Sequence, residues 1–275
     1  MIKHALTYII LFISTSLPAI EIEGNKLIDK ANKHIENMEW KEASALYDII
    51  ISQEPDSLNF YAPAIVASAK TDNYNHVVEI VVVSEKNGIA LDSILNNILI
   101  YTTKIGDTNI YEKTLLSLQK KQPWFEKLFN KHLLEYYKKR HYNTKAIEIA
   151  DHIIKSKPAN IKEIMAIKAN CFNELGDIDS AAIVMREILA IDNNFYDARI
   201  YLGNYYYLKA IQLIENRAEE IDEKEICSLL QQTKEFIDIE YLKAKSPYVR
   251  DRLKEIDKLC NPKEKTKKDK TTIYK

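Results

Sequence analysis

The sequence contains little glycine and proline. Only 5 of its 275 residues are Gly and 7 are Pro, although 46% are hydrophobic and 29% are charged. Tight hairpin turns and Gly-rich phosphate-binding loops depend on glycine, because both need backbone conformations that other residues adopt poorly. The scarcity of glycine therefore disfavours a many-stranded β protein and favours a mostly helical one, of one large or two small domains.

The sequence also lacks a strong excess of either charge. The formal net charge is −1, and residues 20–260 carry 32 basic and 38 acidic side chains. A nucleic-acid-binding surface needs a basic stripe to neutralise phosphates, so this mildly acidic body predicts no nucleic-acid partner. Residues 261–275 hold six Lys and two acidic side chains, and this polar run predicts a disordered, solvated tail.

No apolar run is long enough to span a membrane, which takes roughly 20 residues. Residues 5–13 are mostly apolar, follow Lys3 and precede the polar Ser14–Ser16 and the small Ala19. This order is typical of a secretory signal peptide. We predict cleavage after Ala19 and an exported protein, soluble in the periplasm or cell envelope, with no membrane insertion after cleavage. An uncleaved anchor and a buried core helix are the alternatives, and Leu17 leaves the cleaved bond open.

Familiar catalytic motifs are absent from the sequence. It contains no G-x-S-x-G, P-loop or dinucleotide-binding fingerprint. His132 and Glu135 match part of the inverted zinc motif H-x-x-E-H, but Tyr136 stands where the second His belongs. Cys171 precedes Phe172, and this apolar setting predicts a buried structural thiol. We therefore predict that the protein is not an enzyme and binds no metal and no cofactor.

A repeat occupies most of the chain. Ala43, Ala146 and Ala181 are each followed, twelve residues later, by a residue that ends a helix. This period resembles that of the tetratricopeptide repeat, in which each repeat consists of a helix A, a turn and a helix B. Aligning the three alanines gives repeats of 34 or 35 residues that begin near Gly24, Leu58, Asp92, Lys127, Lys162 and Tyr196.

The resemblance covers residues 24–215 and extends to the family's aromatic and small positions, as at Trp40, the Gly176-Asp177 turn and Gly203. It implies an all-α, right-handed superhelical solenoid of helix-turn-helix repeats. The expected segments are a signal peptide at 1–19, a repeat domain at 20–260 with repeats near 24–57, 58–91, 92–126, 127–161, 162–195 and 196–244 and a cap at 247–260, and a tail at 261–275.

Two parts of the chain depart from the repeat pattern. Pro63 falls inside the first helix of the second repeat, and is tolerable only if that helix starts near Phe60. Near the C-terminus, one helix is expected from about Glu223 to Ala244 and a last one from Pro247 to Cys260. The last helix is predicted to cap the repeats with an apolar face made of Val249, Leu253, Ile256 and Leu259.

In the tetratricopeptide family helix A lines the inner, concave face, so the resemblance implies a binding groove there. Amide side chains donate and accept hydrogen bonds, and Asn residues recurring on this face would pair with an extended peptide backbone. The alternative is that asparagine is merely tolerated on a solvated face. The candidate binding residues are Asn32, Asn96, Lys131, Asn170, Asn173, Asn204 and Tyr207, and the same register places Ala62, Val66 and Ala69 on that face.

These features predict a non-catalytic scaffold of the cell envelope that binds a protein or peptide partner in the groove. Capture of a C-terminal carboxylate is not expected, because Lys131 alone resembles the family's cationic clamp. A glycan-binding or enzyme-accessory module is the alternative. The one feature that favours this alternative is a tyrosine cluster in the sixth repeat. The cluster would stack on a sugar if Tyr201 and Tyr207 share an exposed side. The other interpretation is that it packs against the capping helices. The cluster comprises Tyr196, Tyr201, Tyr205, Tyr206 and Tyr207.

Two of the three cysteines form a possible disulfide. Cys227 begins the penultimate long helix and Cys260 ends the last one, with a reversal near Ser246-Pro247. The two cysteines lie about 28 Å and 21 Å from this reversal along antiparallel helices, at a rise of about 1.5 Å per residue. A slant or a slightly longer turn would absorb the difference, and an oxidising compartment would allow the bond. Three reduced thiols are the alternative.

Overall fold

The computed structural model describes residues 25–215 and 223–260, and the regular structure of these residues is entirely helical. The predicted signal peptide, residues 1–19, and the predicted tail, residues 261–275, lie outside the described residues. The helices are α1 (residues 25–36), α2 (Trp40–Gln53), α3 (Leu58–Lys70), α4 (Tyr74–Lys86), α5 (Leu91–Lys104), α6 (Asn109–Lys121), α7 (Glu126–Lys139), α8 (Asn143–Lys155), α9 (Ile161–Glu174), α10 (Ile178–Ile191), α11 (Tyr196–Glu215), α12 (Glu223–Ile237), α13 (Glu240–Lys245) and α14 (Pro247–Cys260), with a 3-10 helix at Pro123–Phe125. None of these described helices is long and apolar enough to cross a membrane.

The helices follow one another as helix-turn-helix pairs. Turns of three or four residues inside the first five pairs make the two helices of each pair antiparallel neighbours. After the first pair, helix A begins at Leu58, Leu91, Glu126, Ile161 and Tyr196, which is a spacing of 33 to 35 residues. The prediction of an all-α, tetratricopeptide-like fold of helix-turn-helix repeats is confirmed.

The chain divides into two compact bodies, an N-terminal body (Met1–Tyr136) and a C-terminal body (Tyr137–Lys275). In both bodies the alanines that define the repeat register are buried. Ala43, Ala146 and Ala181 have no exposed surface. Small side chains at these positions let the backbones of paired helices approach closely, while larger apolar residues fill the space around them.

The turns between paired helices owe their shape to single residues. Gly176 takes a left-handed backbone conformation (φ 79°) at the end of α9, where a side chain would be strained. Asp177 follows, and its side chain accepts a hydrogen bond from the backbone N–H of Ser180 (3.0 Å), which caps α10. This local chemistry explains why α9 stops and α10 starts here.

Helix α3 begins at Leu58, two residues before the predicted start, so the expectation that Pro63 lies in its first turn is wrong. Pro63 removes the N–H that would bond the backbone carbonyl of Asn59. Asn59 is exposed, so water can solvate that carbonyl. The amide of Asn97 donates to the Leu58 carbonyl (3.1 Å), which helps to fix the earlier start.

The second repeat does not line an open face. Ala62, Val66 and Ala69 on α3 are at most 1% exposed, so the expectation that they belong to a groove is wrong. Helix α3 packs against α2, α4, α5 and α6. Its short apolar side chains allow neighbouring helices to surround it, which closes the face that the repeat register assigns to a ligand.

The helix predicted from Glu223 to Ala244 is broken in two. Helix α12 ends at Ile237, and Ile239 is extended (φ −126°, ψ 134°) before α13 begins. In one continuous helix Ile237 and Leu242 would point about 140° apart, at roughly 100° per residue. The break lets both side chains enter one buried cluster with Val249 of α14. Packing of the cap therefore overrides local helix propensity.

Helices α11 and α12 approach each other closely at Gly203. A β-carbon built on Gly203 would lie 2.4 Å from Cγ2 of Ile237, far inside van der Waals contact. Ile237 is β-branched and 3% exposed, so it has little room to move. The absence of a side chain at Gly203 therefore allows α12 to pack this closely against α11.

Candidate functional site

The predicted binding residues are divided between the two bodies. Asn32, Asn96 and Lys131 lie in the N-terminal body, and Asn170, Asn173, Asn204 and Tyr207 lie in the C-terminal body. Each group is described within its own body below.

In the N-terminal body the predicted residues bond to their own chain. The amide of Asn96 donates to Oδ2 of Asp92 (3.2 Å), and the Lys131 ammonium pairs with Oδ1 of the same carboxylate (3.4 Å). Asn32 is exposed and accepts a hydrogen bond from the hydroxyl of Tyr47 (2.7 Å), which belongs to the same helix pair. Two of the three predicted side chains, Asn96 and Lys131, are therefore bonded to Asp92.

The carboxylate of Asp92 also takes part in a chain of hydrogen bonds with His132 and Tyr111, which we call the relay. It accepts from Nε2 of His132 (3.0 Å), whose Nδ1 lies 2.9 Å from the hydroxyl of Tyr111. Because the carboxylate only accepts, Nε2 carries the proton and Nδ1 accepts from Tyr111. Burial chiefly lowers the pKa of His132, and the hydrogen bond from His132 chiefly lowers the pKa of Asp92.

This relay has a structural role. Tyr111 is 0% exposed and His132 is 7% exposed, so neither presents a reactive atom to a substrate. The three residues lie on α5, α6 and α7 and therefore tie three helices together. The sequence interpretation weighed His132 as a metal ligand against a surface or partly buried histidine of a helical repeat. It missed the relay, because the members are 19 to 40 residues apart in the chain.

In the C-terminal body two predicted asparagines are oriented by tyrosines from neighbouring helices. The hydroxyl of Tyr201 donates to Oδ1 of Asn173 (3.1 Å), and the hydroxyl of Tyr248 donates to Oδ1 of Asn204 (2.6 Å). A hydroxyl on the oxygen side fixes which way the amide points. Each Nδ2 is left without a hydrogen-bond partner among the described residues, so both asparagines present oriented donors.

Tyr248 is itself held in place by Arg252 of the same helix. The guanidinium donates to the Tyr248 hydroxyl (2.8 Å) and lies over the Tyr248 ring, 5.0 Å from its centroid. The same guanidinium covers the Tyr207 ring at 3.4 Å. A cation over an aromatic face is attracted by the ring's negative quadrupole, so Arg252 joins the two tyrosines.

Tyr207 does not belong to an open groove, and the expectation that it binds a ligand is wrong. It is 6% exposed, and its hydroxyl donates to Oε1 of Glu255 on α14 (2.8 Å). Burial, followed by this hydrogen bond, raises its pKa to about 12. Consecutive tyrosines on a helix point in different directions, and Tyr207 is the one that faces the capping helix.

Six residues form what we call the carboxamide face. On α11, three of them follow one another at spacings of three and four residues and so share one side of the helix. Leu208 is 56% exposed and Tyr248 is 46% exposed, while both residues on α9 are exposed. The hydrogen bonds from Tyr201 and Tyr248 join α9, α11 and α14 along this face. The carboxamide face comprises Asn170, Asn173, Tyr201, Asn204, Leu208 and Tyr248.

The carboxamide face combines amide donors, an aromatic ring and an exposed apolar side chain. Sequence reasoning found Asn170, Asn173 and Asn204 but missed Leu208 and Tyr248. The spacing of Leu208 from Asn204 could have indicated it, whereas Tyr248 is brought there by the fold of the cap. Within residues 25–215 and 223–260, no three His, Cys, Asp or Glu side chains are placed to hold a metal ion.

The cysteines occupy two different environments. Cys171 is 3% exposed on α9, and its pKa is raised chiefly by burial. Cys227 and Cys260 are half-buried free thiols on α12 and α14, two helices that pack against each other. Burial, followed by the interaction with Cys227, raises the pKa of Cys260 to about 12. The two cysteines that the sequence offers as a candidate disulfide pair are therefore neighbours, and both are free thiols in this structure.

Comparison with known proteins gives likenesses of fold. No protein-family model matches the sequence, and no curated protein matches it. The C-terminal part of a TPR repeat-containing protein from Cytophaga hutchinsonii is similar at 10% identity, with 84% of each chain covered and a TM-score of 0.44. A TPR repeats protein from Bacteroides fragilis is similar at 12% identity, with 85% of this chain and 97% of that chain covered and a TM-score of 0.33.

The TPR2AB domain of yeast Sti1, in its pHSP90 complex, is similar at 15% identity, with 86% of this chain and 96% of that chain covered and a TM-score of 0.28. At these identities and TM-scores the likenesses say nothing of a partner. The fold assignment stands on the helix pairs and their spacing.

Proposed function

We propose that the protein is a non-catalytic scaffold that binds an extended segment of a partner protein along the carboxamide face of its C-terminal body. The observation that carries this proposal is the pair of asparagines whose oxygens are held by tyrosine hydroxyls. Side chains fixed before binding lose less conformational entropy when a partner arrives, so their hydrogen bonds contribute more to affinity.

An extended peptide suits the two amide donors. Its backbone offers carbonyl oxygens that only accept hydrogen bonds, and the free Nδ2 groups of Asn173 and Asn204 only donate. Successive carbonyls on one side of an extended chain recur about every 7 Å. Bonds to the backbone place few demands on the partner's side chains, so this surface supports recognition of an extended conformation rather than of one sequence.

Leu208 and Tyr248 supply the apolar part of the interface. Each is about half exposed, and each adjoins Asn204, either through helix spacing or through a hydrogen bond. Tyrosine is enriched at protein interfaces because it buries a large rigid ring and still offers a hydroxyl. We infer that these two side chains anchor the partner and exclude water from the amide hydrogen bonds.

The proposed cellular setting is supported by the sequence alone. We propose that residues 1–19 direct export and that the mature chain acts in the periplasm or cell envelope. Asn32, Asn96 and Lys131 of the N-terminal body are proposed only as weak contacts of that body, since each is exposed but already bonds to its own chain. The absence of recognisable catalytic motifs in the sequence supports a non-catalytic role.

A glycan is the second candidate ligand, and one observation favours it. Tyr241 is 49% exposed and stacks on Tyr196, with ring centroids 4.2 Å apart and planes 17° from parallel. A flat, partly exposed aromatic surface of this kind can stack on a sugar ring. Binding of soluble oligosaccharides that is lost in Tyr241→Ala, with no peptide binding, would favour this ligand over a peptide.

The test of peptide binding starts from a random linear peptide library displayed on phage and selected against the full chain. The affinity of a recovered peptide is then measured by fluorescence anisotropy for the wild type and for the double variant Asn173→Ala, Asn204→Ala. We expect binding to weaken by about 1 to 3 kcal/mol, because peptide carbonyls lose their hydrogen bonds.

Stability provides the control for this double variant. Asn173 is exposed and Asn204 is half-buried, so the free energy of unfolding measured in urea should barely change. Recovery of no peptide, or of peptides that bind the double variant normally, contradicts the proposal. A double variant that unfolds would show instead that the asparagines are structural.

A further inference from the structure

Helices α12 and α14 pack against each other, with Cys227 in the first turns of α12 and Cys260 at the last residue of α14. Both residues are half-buried. Cys260 packs, together with Ile226 and Leu229 beside Cys227, against the buried cluster that includes Ile256. This setting holds the two side chains together while leaving them partly accessible.

Helix α14 is the element that completes the carboxamide face. It carries Tyr248, which orients Asn204, and Arg252, which holds Tyr248. Helix α14 is attached to the C-terminal body by three buried apolar residues and by contacts at its surface. These include the hydrogen bond from Tyr207 to Glu255, the Arg252 guanidinium over the Tyr207 ring, and an ion pair between Lys234 and Asp257 (2.8 Å). The orientation of Asn204 therefore depends on how firmly α14 is held.

We propose that Cys227 and Cys260 are a reversible disulfide site that fixes α14 to α12 and thereby keeps Tyr248 on Asn204. The consequence for ligand binding rests on the proposed function of the carboxamide face, whereas the bond itself does not. The two cysteines enclose a loop of about 32 residues, and closing a loop of this size restricts the unfolded chain and opposes detachment of the last helix.

The reaction is an exchange with a small-molecule or protein disulfide. One cysteine loses its proton, and its thiolate attacks a sulfur of the oxidant, which releases one oxidant thiolate and leaves a mixed disulfide. The second cysteine loses its proton and attacks the mixed disulfide at the protein sulfur. The Cys227–Cys260 bond forms, and the oxidant leaves with the two electrons and takes up the two protons. A dithiol reductant reverses both steps.

Cys171 is the internal reference for the chemistry. It lies in the same body but is 3% exposed and belongs to α9, whereas the other two cysteines belong to α12 and α14. Equilibrated with oxidised glutathione, the full chain should lose two titratable thiols and keep one. A peptide map after alkylation should join the segments that contain Cys227 and Cys260. A map that joins Cys171 to either residue, or that shows three alkylated thiols, overturns the proposal.

Amide hydrogen exchange tests the mechanical consequence. On oxidation, exchange in residues 247–260 should slow by about tenfold or more, since opening of α14 then works against the crosslink. The double variant Cys227→Ser, Cys260→Ser should respond to the oxidant with no change. Side-chain amide NMR signals of Asn204 should sharpen in the oxidised wild type, because its hydrogen bond to Tyr248 persists longer.

These measurements use no peptide, so they are judged apart from the proposed function. A crosslink that forms without slowing exchange in α14 contradicts the proposed link between the disulfide and the carboxamide face. A crosslink that protects α14 while no peptide binds supports the disulfide site and leaves the peptide proposal refuted by its own experiment.

Discussion

Helix α3 of the N-terminal body is buried along most of its length, whereas helix α11 of the C-terminal body keeps Leu208 and Asn204 in contact with solvent. The two bodies also differ in whether an asparagine amide is already hydrogen-bonded within the protein. In the N-terminal body the Asn96 amide is engaged by Asp92, and in the C-terminal body Asn173 keeps its amide nitrogen free of protein partners. One repeat pattern therefore produces a helix surrounded by its neighbours in one body and a helix with a solvent-exposed face in the other.

The largest effect is expected where the C-terminal body is packed most tightly. Gly203→Val would force the new side chain into Ile237, and overpacking of this kind costs about 1 to 3 kcal/mol or more. The free energy of unfolding in urea should fall by that amount. Amide exchange should accelerate in α11 and α12 and remain unchanged in α3. Equal acceleration in α3 would contradict the division of the chain into two compact bodies.

Acid should weaken the N-terminal body through His132. Burial lowers the pKa of His132 in the folded state, so the unfolded chain binds the proton more readily. The stabilisation by neutral His132 is therefore complete above the unfolded value of about 6.5 and is lost as pH falls below it.

Urea unfolding between about pH 7.5 and pH 5 measures this effect. His132→Gln, which does not titrate, should be less stable at neutral pH and should lose this part of the pH dependence. The groups that face the imidazole are Asp92 and Tyr111, with Lys131 and Glu135 near it on its own helix. An unchanged pH slope in His132→Gln would show that another group is responsible.

A smaller effect is expected at the edge of the carboxamide face. Tyr248→Phe removes the hydroxyl that orients Asn204, and a single hydrogen bond contributes about 0.5 to 1.5 kcal/mol. Affinity for a selected peptide should fall by that amount. Tyr241→Phe is the matched control, because Tyr241 is equally exposed and its stacking on Tyr196 does not need the hydroxyl. Equal losses in both variants would mean that the hydroxyl of Tyr248 does not act through Asn204.

The fold was predictable because its determinants are local. The Gly176-Asp177 turn and the alanines at 43, 146 and 181 act through neighbouring backbone, so the sequence pattern locates them well. The break after Ile237 was not predictable, since it depends on packing between Leu242 and Val249. The spacing of apolar residues along one helix does not show which residues of other helices they contact.

The candidate site was predictable in part for the same reason. The helix register located Asn173 and Asn204, but it could not show which tyrosines turn inward. Tyr207 faces Glu255, while Tyr248, 41 residues further on, reaches Asn204. These pairings follow from how α14 folds back on α11, and the sequence offers only the apolar face of α14 as a hint of that contact.

The central claim is that the open asparagines of the C-terminal body, rather than those of the N-terminal body, bind an extended peptide. The most direct test compares the affinity of one selected peptide for two matched double variants. We predict that Asn173→Ala with Asn204→Ala weakens binding about fivefold or more, and that Asn32→Ala with Asn96→Ala changes it by less than about twofold. Equal weakening in the two variants, or the reverse order, would contradict the account.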